Sequence, residues 1–319
     1  MHLVDTLDAG GAERMCVQLA NALARGGMQV EVCVTRRGGA LERLLDPGVG
    51  LFRLERRHRW DAAALWRLRR YVREKGIEIL HAHGTALFAA AAARAFREEV
   101  RLVWHVHAGA LVNEQRNLWA YRTVRRWVDA VLSVNRQLAQ WAVQRAGFPS
   151  SRVRVAPNFA GVRLEGAADG LPGAAGFRIV QVANVRPQKD HATMLRAMVR
   201  IVREEPRAHL LVVGHCDGVF GDSVRRLAEE LGLGGHVSFL GAREDVGAAL
   251  RGCDVGVLSS KSEGLPVALL EYGEAGLAVA CTDAGDCREV VGDAGRVVPP
   301  GDDAGLAEAV IGFLRDAEL

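Results

Sequence analysis

Lysine is scarce in this chain: Lys75, Lys189 and Lys261 are the only three among 41 basic residues, the rest being arginine. Long apolar runs are missing too. The longest is 86–93, far below the roughly 18–20 residues that cross a bilayer, so a membrane-spanning helix is excluded. The six cysteines, Cys16, Cys33, Cys216, Cys253, Cys281 and Cys287, form no C-x-x-C pair. That argues for reduced structural thiols in a cytoplasmic protein and against a disulfide framework. The start, Met1-His2-Leu3-Val4-Asp5, has neither the basic residues nor the apolar core of a signal peptide, so no export is expected. What is abundant is Val, Leu and Ala; with charged residues at 25%, this excludes a disordered or collagen-like chain. The length fits about two domains.

The net charge of +3 hides an asymmetry. Residues 1–160 carry 25 Lys and Arg against 14 Asp and Glu, or +11, while 161–319 carry 16 against 24, or −8. The stretch 161–176, with Asp169-Gly170 and Pro172-Gly173 inside it, has no period of 2 or 3.6 and reads as a linker. It separates an N-terminal domain, 1–160, from a C-terminal domain, 177–319. Short β-branched runs followed by helix-period segments recur on both sides. The expected strands are 3–7, 29–34, 51–54, 77–81, 102–106, 130–134 and 153–156 on the left, and 178–182, 209–213, 237–240, 255–258 and 278–281 on the right. This alternation predicts an α/β fold of two doubly wound, Rossmann-like domains with parallel sheets. Ligands of such sheets bind beyond the carboxyl ends of the strands, and two facing sheets form a cleft.

The most informative strand end is 259–271, Ser-Ser-Lys-Ser-Glu-Gly-Leu-Pro-Val-Ala-Leu-Leu-Glu. It follows an apolar strand, turns at Gly264 and opens a helix with Pro266 in its first turn. The free amides of such a turn suit a phosphate or a sugar hydroxyl, and a carboxylate at Glu271 can accept both hydrogens of a ribose diol. After the strand 178–182 come Arg186 and Lys189, candidate clamps for the negative charge that a departing phosphate develops. Gly10-Gly11 let the backbone approach a ligand closely ahead of a helix starting near Ala12. They do not form G-x-G-x-x-G, so a nicotinamide cofactor has little support. His81 with His83, and His105 with His107, each close an apolar strand two residues apart and share a face. Such pairs raise the question of zinc, but H-E-x-x-H does not occur, and no metal is expected.

The spacing E-x7-E from Glu263 to Glu271, opening E-G-hydrophobic-P, resembles the retaining family-4 glycosyltransferases of GT-B fold (glycosyl transferases group 1). The likeness extends through Gly10 to Arg14, both histidine-bearing strands, 155–158 and the segment around Lys189. It implies that Glu271 binds the donor ribose, and that Glu263 with the main chain of Gly264 and Leu265 holds the donor sugar and phosphate. It also implies that Lys189 clamps phosphate, that the loop of Gly10 and Gly11 flanks the acceptor entrance and the donor phosphates, that His107 contacts the donor sugar and that His83 lines the sheet end. The family pattern G-R-hydrophobic-x-P-x-K meets Asn184 at its arginine position here, with Arg186 standing in two residues later. Residues 214–218 and 239–241 resemble the wall around the nucleotide base. No D-x-D triplet occurs, which removes the usual metal-ligand motif of the other major glycosyltransferase architecture. By the resemblance, relatives add helices after the one expected here over 304–316, and these C-terminal helices are expected to be missing.

Two basic clusters carry tryptophan: Arg53, Arg56, Arg57, Arg59 and Trp60 leading into 66–70, and Arg116, Trp119, Arg122, Arg125, Arg126 and Trp127. They fit attraction to anionic lipid, solvated helix faces being the plainer reading; no nucleic-acid motif accompanies them. The expectation is a metal-independent, cytoplasmic glycosyltransferase, peripheral at the inner face of the membrane. It moves a hexose from a UDP- or GDP-sugar to a hydroxyl of a glycan or lipid-linked acceptor in cell-envelope polysaccharide or glycolipid synthesis. The rivals are a sugar-nucleotide epimerase of the same fold and a non-catalytic sugar-nucleotide-binding protein.

Overall fold

A computed structural model describes residues 1–8, 10–58, 61–95, 99–107, 118–161, 164, 170–243 and 245–315. The chain divides into two compact units, Met1–Asn158 and Phe159–Leu319. The strands of the first are β1 (His2–Thr6), β2 (Val30–Arg37), β3 (Val49–Arg53), β4 (Ile79–His83), β5 (Arg101–Val106), β6 (Ala130–Ser133) and β7 (Val153–Val155). They form a seven-stranded sheet of order β3-β2-β1-β4-β5-β6-β7. The strands of the second are β8 (Arg178–Val182), β9 (His209–Val213), β10 (Val237–Gly241), β11 (Val255–Leu258), β12 (Ala278–Thr282) and β13 (Gly295–Val298). Their six-stranded sheet has the order β10-β9-β8-β11-β12-β13. All pairings are parallel. Both sheets therefore start in the middle, run outward, and reverse next to their first strand, which is the doubly wound order.

Parallel strands are covered on both faces, so their apolar residues divide between two cores. In the first unit α1 (Gly11–Arg25) sets Cys16, Val17 and Ala20 on β1 and β2. In the second, Ile179, Leu210, Val212 and Val257 point to one face of the sheet, while Val180, Leu211, Val213 and Leu258 point to the other. Helix α6 (His191–Glu204) closes the first of these faces with Met194, Leu195, Met198 and Ile201, a spacing of one helical stripe. All six cysteines are free and buried. No helix among the described residues is long and apolar enough to cross a membrane.

Strand β13 lies outside the strands expected from the sequence. It is four residues long, includes Arg296, and pairs only with β12 at the sheet edge, so neither alternation nor a long apolar run announces it. Strand β4 runs two residues later than expected, which brings His83 into the strand beside His81.

Candidate functional site

In the second unit the strand order reverses between β8 and β11, and their ladder is short, pairing Val255 with Ile179 and Gly256 with Val180. Past that register the Tyr272 hydroxyl takes over. It accepts the Val182 N–H at 2.7 Å and donates to the Val257 carbonyl at 3.1 Å. Gly256 makes room for the ring, because a Cβ there would sit 2.5 Å from it. The loops that leave the two strands are then stitched together. Gln181 Nε2 donates to Ser259 Oγ at 3.0 Å, and that hydroxyl lies 3.1 and 3.0 Å from the carbonyls of Lys189 and Asp190. Lys261 adds a backbone bond to the Gln188 carbonyl at 2.8 Å and an ion pair with Asp190 at 3.0 Å.

This stitching brings Lys189 and Glu263 together from 74 residues apart: Lys189 Nζ donates to Glu263 Oε1 at 2.5 Å. Ser260 Oγ donates to the same oxygen at 2.6 Å. The Lys189 side chain keeps 25% of its exposure and that of Glu263 only 8%, so the ammonium is the accessible end of the pair. The carboxylate is held at one oxygen, leaving the other to accept in a fixed orientation. Gly285, at φ +58, packs flat on this turn; a Cβ there would fall 2.5 and 2.6 Å from the carbonyls of Glu263 and Gly264. Gly264 is buried and its carbonyl accepts the Asp286 N–H at 3.0 Å. Leu265 is half-buried beside it, and Pro266 stands just before helix α9 (Val267–Glu274). Glu271 is buried within that helix. Arg186 is exposed, with no ion pair to any described residue. Asn184 serves the backbone: its Oδ1 accepts the His215 N–H at 2.9 Å.

In the first unit the order reverses between β1 and β4, and the residues gathered there are imidazoles. Register pairs His2 with His81 and His83 with His105, so the rings lie on one face of the sheet. His107 follows just past the end of β5. His2 Nδ1 lies 3.1 Å from His83 Nε2, His83 Nδ1 2.9 Å from His107 Nε2, and His81 Nε2 3.3 Å from His105 Nδ1. Burial lowers the pKa of all five, to about 3 for His81, about 4 for His105, and well below the usual value for His2, His83 and His107. Neighbouring imidazoles add to this in every ring except His105. The rings are therefore neutral, each a donor at one nitrogen and an acceptor at the other. His81, His83 and His105 bring ligand atoms within 4.8 Å of one another, as do His2, Cys16 and His83. These are the residues that could hold a borderline metal ion, and here their ring nitrogens bond one another. Gly10 and Gly11 open α1 at the same end of the sheet, with the Arg14 N–H on the Gly10 carbonyl at 2.8 Å.

The structure thus joins Lys189 directly to Glu263, and His83 directly to His107. His2, Ser259, Ser260, Tyr272 and Gly285 belong to these sites and are absent from the candidates that the sequence yields. Ser259-Ser260 carries a legible signal, as a polar pair directly after an apolar strand. In the basic clusters, Arg67, Arg69, Arg122 and Arg125 donate to backbone carbonyls of Leu54, Ala92, Arg145 and Gly147, and Arg56 is buried. Arg59, Trp60 and Arg116 lie outside the described residues, as does most of the proposed linker before residue 170.

Two family models match, "Glycosyltransferase Family 4" over residues 9–163 and "Glycosyl transferases group 1" over 174–319. The phosphatidyl-myo-inositol mannosyltransferase of Mycolicibacterium smegmatis is 25% identical, over 97% of this chain and 82% of its own length. The lipopolysaccharide core biosynthesis glycosyltransferase LpsE of Rhizobium meliloti is 26% identical, over 97% and 87%. Among solved structures, HepE of Anabaena, crystallised with UDP and glucose, aligns with a TM-score of 0.83 at 21% identity, covering 99% of this chain and 90% of that one. Two doubly wound units, the Lys189–Glu263 pair at a strand-order reversal and a family match along nearly the whole chain lead to one assignment: the chain belongs to the family-4 glycosyltransferases of GT-B fold.

Proposed function

We propose that the protein transfers a hexose, with retention of configuration and without a metal ion, from a UDP- or GDP-sugar to a hydroxyl of a glycan or lipid-linked acceptor. The observation that carries this reading is the Lys189–Glu263–Ser260 node at the carboxyl end of β8 and β11. A diphosphate entering there offers Lys189 a stronger partner than Glu263. The ammonium moves to the phosphate, and Arg186, exposed at the rim, adds the second positive charge. Glu263, still held by Ser260, then accepts from a donor-sugar hydroxyl, the amides of Gly264 and Leu265 meet sugar and phosphate, and Glu271 takes the ribose. In the first unit Gly11 flanks the phosphates, His107 meets the donor sugar, and Gly10 and His83 line the acceptor's approach. Because the imidazoles are neutral, His107 orients and polarises without serving as a charged acid. The departing phosphate accepts the acceptor's proton on the face where the new bond forms.

The mannosyltransferase and LpsE relatives support a role in cell-envelope glycolipid or polysaccharide synthesis, and the UDP and glucose held by HepE support a nucleotide-sugar donor. The protein works in the cytoplasm, and its peripheral binding to an anionic membrane is supported by Trp66 on α2 (Ala62–Glu74) and Trp119 on α4 (Leu118–Val124), exposed at 60% and 71%. Arg70 lies over the Trp66 ring at 5.7 Å, an arrangement suited to a headgroup layer. The test is a nucleotide-release screen of UDP- and GDP-sugars against glycan and lipid acceptors, with product anomers assigned by NMR. Acceptor-dependent release, lowered by about 10²–10³ in Lys189→Ala, is expected. Conversion of donor without acceptor identifies an epimerase, and donor binding without any turnover identifies a binding protein.

A further inference from the structure

Arg56 is the one buried arginine among the described residues of the first basic cluster, and nothing in the proposed chemistry uses it. Its side chain is only 6% exposed. Among the described residues its guanidinium meets a single carboxylate, Asp5 at 3.6 Å, beyond hydrogen-bond reach, and its buried Nε has no hydrogen-bond partner. Asp5 is already occupied: Thr35 donates to Oδ1, Thr85 donates to Oδ2 at 2.5 Å, and Arg36 stands 3.8 Å from Oδ1. Two guanidinium groups thus share one carboxylate whose oxygens serve hydroxyls first. A buried Arg offers five N–H donors and costs several kcal/mol when they go unmatched.

The backbone is bent to produce this placement. Leu54 N–H bonds to the Val34 carbonyl, and Arg56 N–H bonds to the next one, that of Thr35. Two residues of the chain leaving β3 therefore oppose one on β2. The extra residue, Glu55, sits at φ +53, a left-handed conformation that costs a non-glycine residue of order 1–3 kcal/mol. Bulges of this kind re-aim a side chain, and they concentrate beside functional sites. Here the bulge sends Arg56 back over the carboxyl ends of β1 and β4, the reversal of strand order in the first unit.

We propose that Arg56 is an anion-binding residue that receives a phosphate group of the acceptor, while the Thr35 and Thr85 hydroxyls stay on Asp5 and fix its orientation. The proposal rests on the glycosyltransferase reading and adds to it the acceptor's chemical class: a phosphate-bearing molecule, soluble or a lipid headgroup. The entering phosphate takes the Arg56 donors that Asp5 leaves unmatched, and Asp5 opposes it by charge.

The experiment measures binding of glycerol 1-phosphate, with glycerol as the uncharged control, by calorimetry on the full chain at low ionic strength. The wild type is expected to bind the phosphate and not glycerol, and Arg56→Gln to bind it about tenfold or more weakly. Asp5→Asn is expected to bind it several-fold more tightly, a direction that a merely structural Asp5–Arg56 pair does not produce. Should Arg56→Gln fail to fold, Arg56→Lys, which keeps the charge and loses the planar fork, carries the test with about three- to tenfold weakening. Vesicles of phosphatidylglycerol in phosphatidylcholine form a second arm. Arg56-dependent binding to vesicles alone assigns the phosphate to a lipid headgroup, and to glycerol 1-phosphate alone a soluble acceptor; either supports the proposal. Binding that is unchanged in both Arg56 variants, in both arms, overturns it. UDP-glucose and GDP-mannose binding, measured on the same samples, is expected to be unaffected by the Arg56 variants. Absence of donor binding in wild type would sink the glycosyltransferase reading separately.

Discussion

The two units run the same strand order and reverse it at the same place, yet the groups they gather around the two reversals differ. In the second, β8 and β11 end in ammonium, carboxylate and hydroxyl groups joined through Lys189, Glu263, Ser260 and the Lys261–Asp190 pair. In the first, His81 and His83 on β4, His105 and His107 at the end of β5 and His2 at the start of β1 gather as five neutral imidazoles, hydrogen-bonded as His2–His83–His107 and His81–His105, with the Asp5–Arg56 pair beside them at the far end of β1. Topology thus decides where a ligand can sit, and the residues at the strand ends decide whether it meets charge or dipoles. Mobile charge suits a diphosphate that leaves with growing negative charge, whereas fixed dipoles suit groups that keep their charge through the reaction.

The largest expected effect follows directly. Lys189→Ala should lower kcat/KM for the donor by about 10²–10³, the usual range for losing a charged or oriented stabiliser. His107→Ala should cost about tenfold, because a neutral hydrogen-bonding ring contributes one neutral interaction. Steady-state nucleotide release on both variants is the measurement, and a larger loss at His107 would reverse the division of labour between the units.

Acid should separate the units next. A histidine whose folded pKa is depressed binds protons more readily when unfolded, so its contribution to stability is whole above about pH 6.5 and declines as pH falls toward the folded value. The folded values are about 3 for His81 and about 4 for His105, so the window runs from about 6.5 down to that range. At pH 5 each such ring costs about 2 kcal/mol relative to neutral pH. The second unit has one comparably buried histidine, His191, lowered to about 4. Hydrogen exchange read by mass spectrometry between pH 7 and pH 5 should therefore show β1, β4 and β5 losing protection before β8, β9 and β11. Simultaneous loss would mean that the imidazoles are not the weak point.

Gly285→Ala probes the charged site through its backbone. The added methyl comes within about 2.5 Å of the Glu263 and Gly264 carbonyls, in a left-handed conformation, and should cost about 1–3 kcal/mol. Donor KM should rise with it, since the displaced carbonyls belong to the turn that carries Glu263. A fall in melting temperature with unchanged KM would show the turn relaxing away from the site.

Much of this organisation is legible in the sequence. The alternation of strand and helix, Lys189 against a background of arginine, and the Glu263–Glu271 spacing are local signals, and each marks a strand end. What cannot be read is whatever depends on two distant segments meeting. Tyr272 is one apolar residue in an apolar helix until its hydroxyl is seen between Val182 and Val257. His2 joins the ladder only through its register with His81, and Arg56 looks like the arginines around it because Glu55 carries no sign of its positive φ.

Asn184 gives the smallest expected effect and bears on the same contrast. The family pattern places arginine there, yet in this chain the side chain continues the pairing of β8 with β9, taking the His215 N–H at 2.9 Å where Gly214 turns at φ +150. Asn184→Ala should therefore cost about 1 kcal/mol of stability, the worth of one ordinary hydrogen bond, with donor KM changed by less than about threefold. Asn184→Arg should split the two readouts. Arginine has no acceptor for the His215 N–H, so stability falls by a similar amount, while the added guanidinium strengthens donor binding several-fold. Thermal melts and donor KM on both variants decide it. A rise in KM in Asn184→Arg would mean that phosphate does not pass this strand end, leaving Lys189 and Arg186 without their proposed partner.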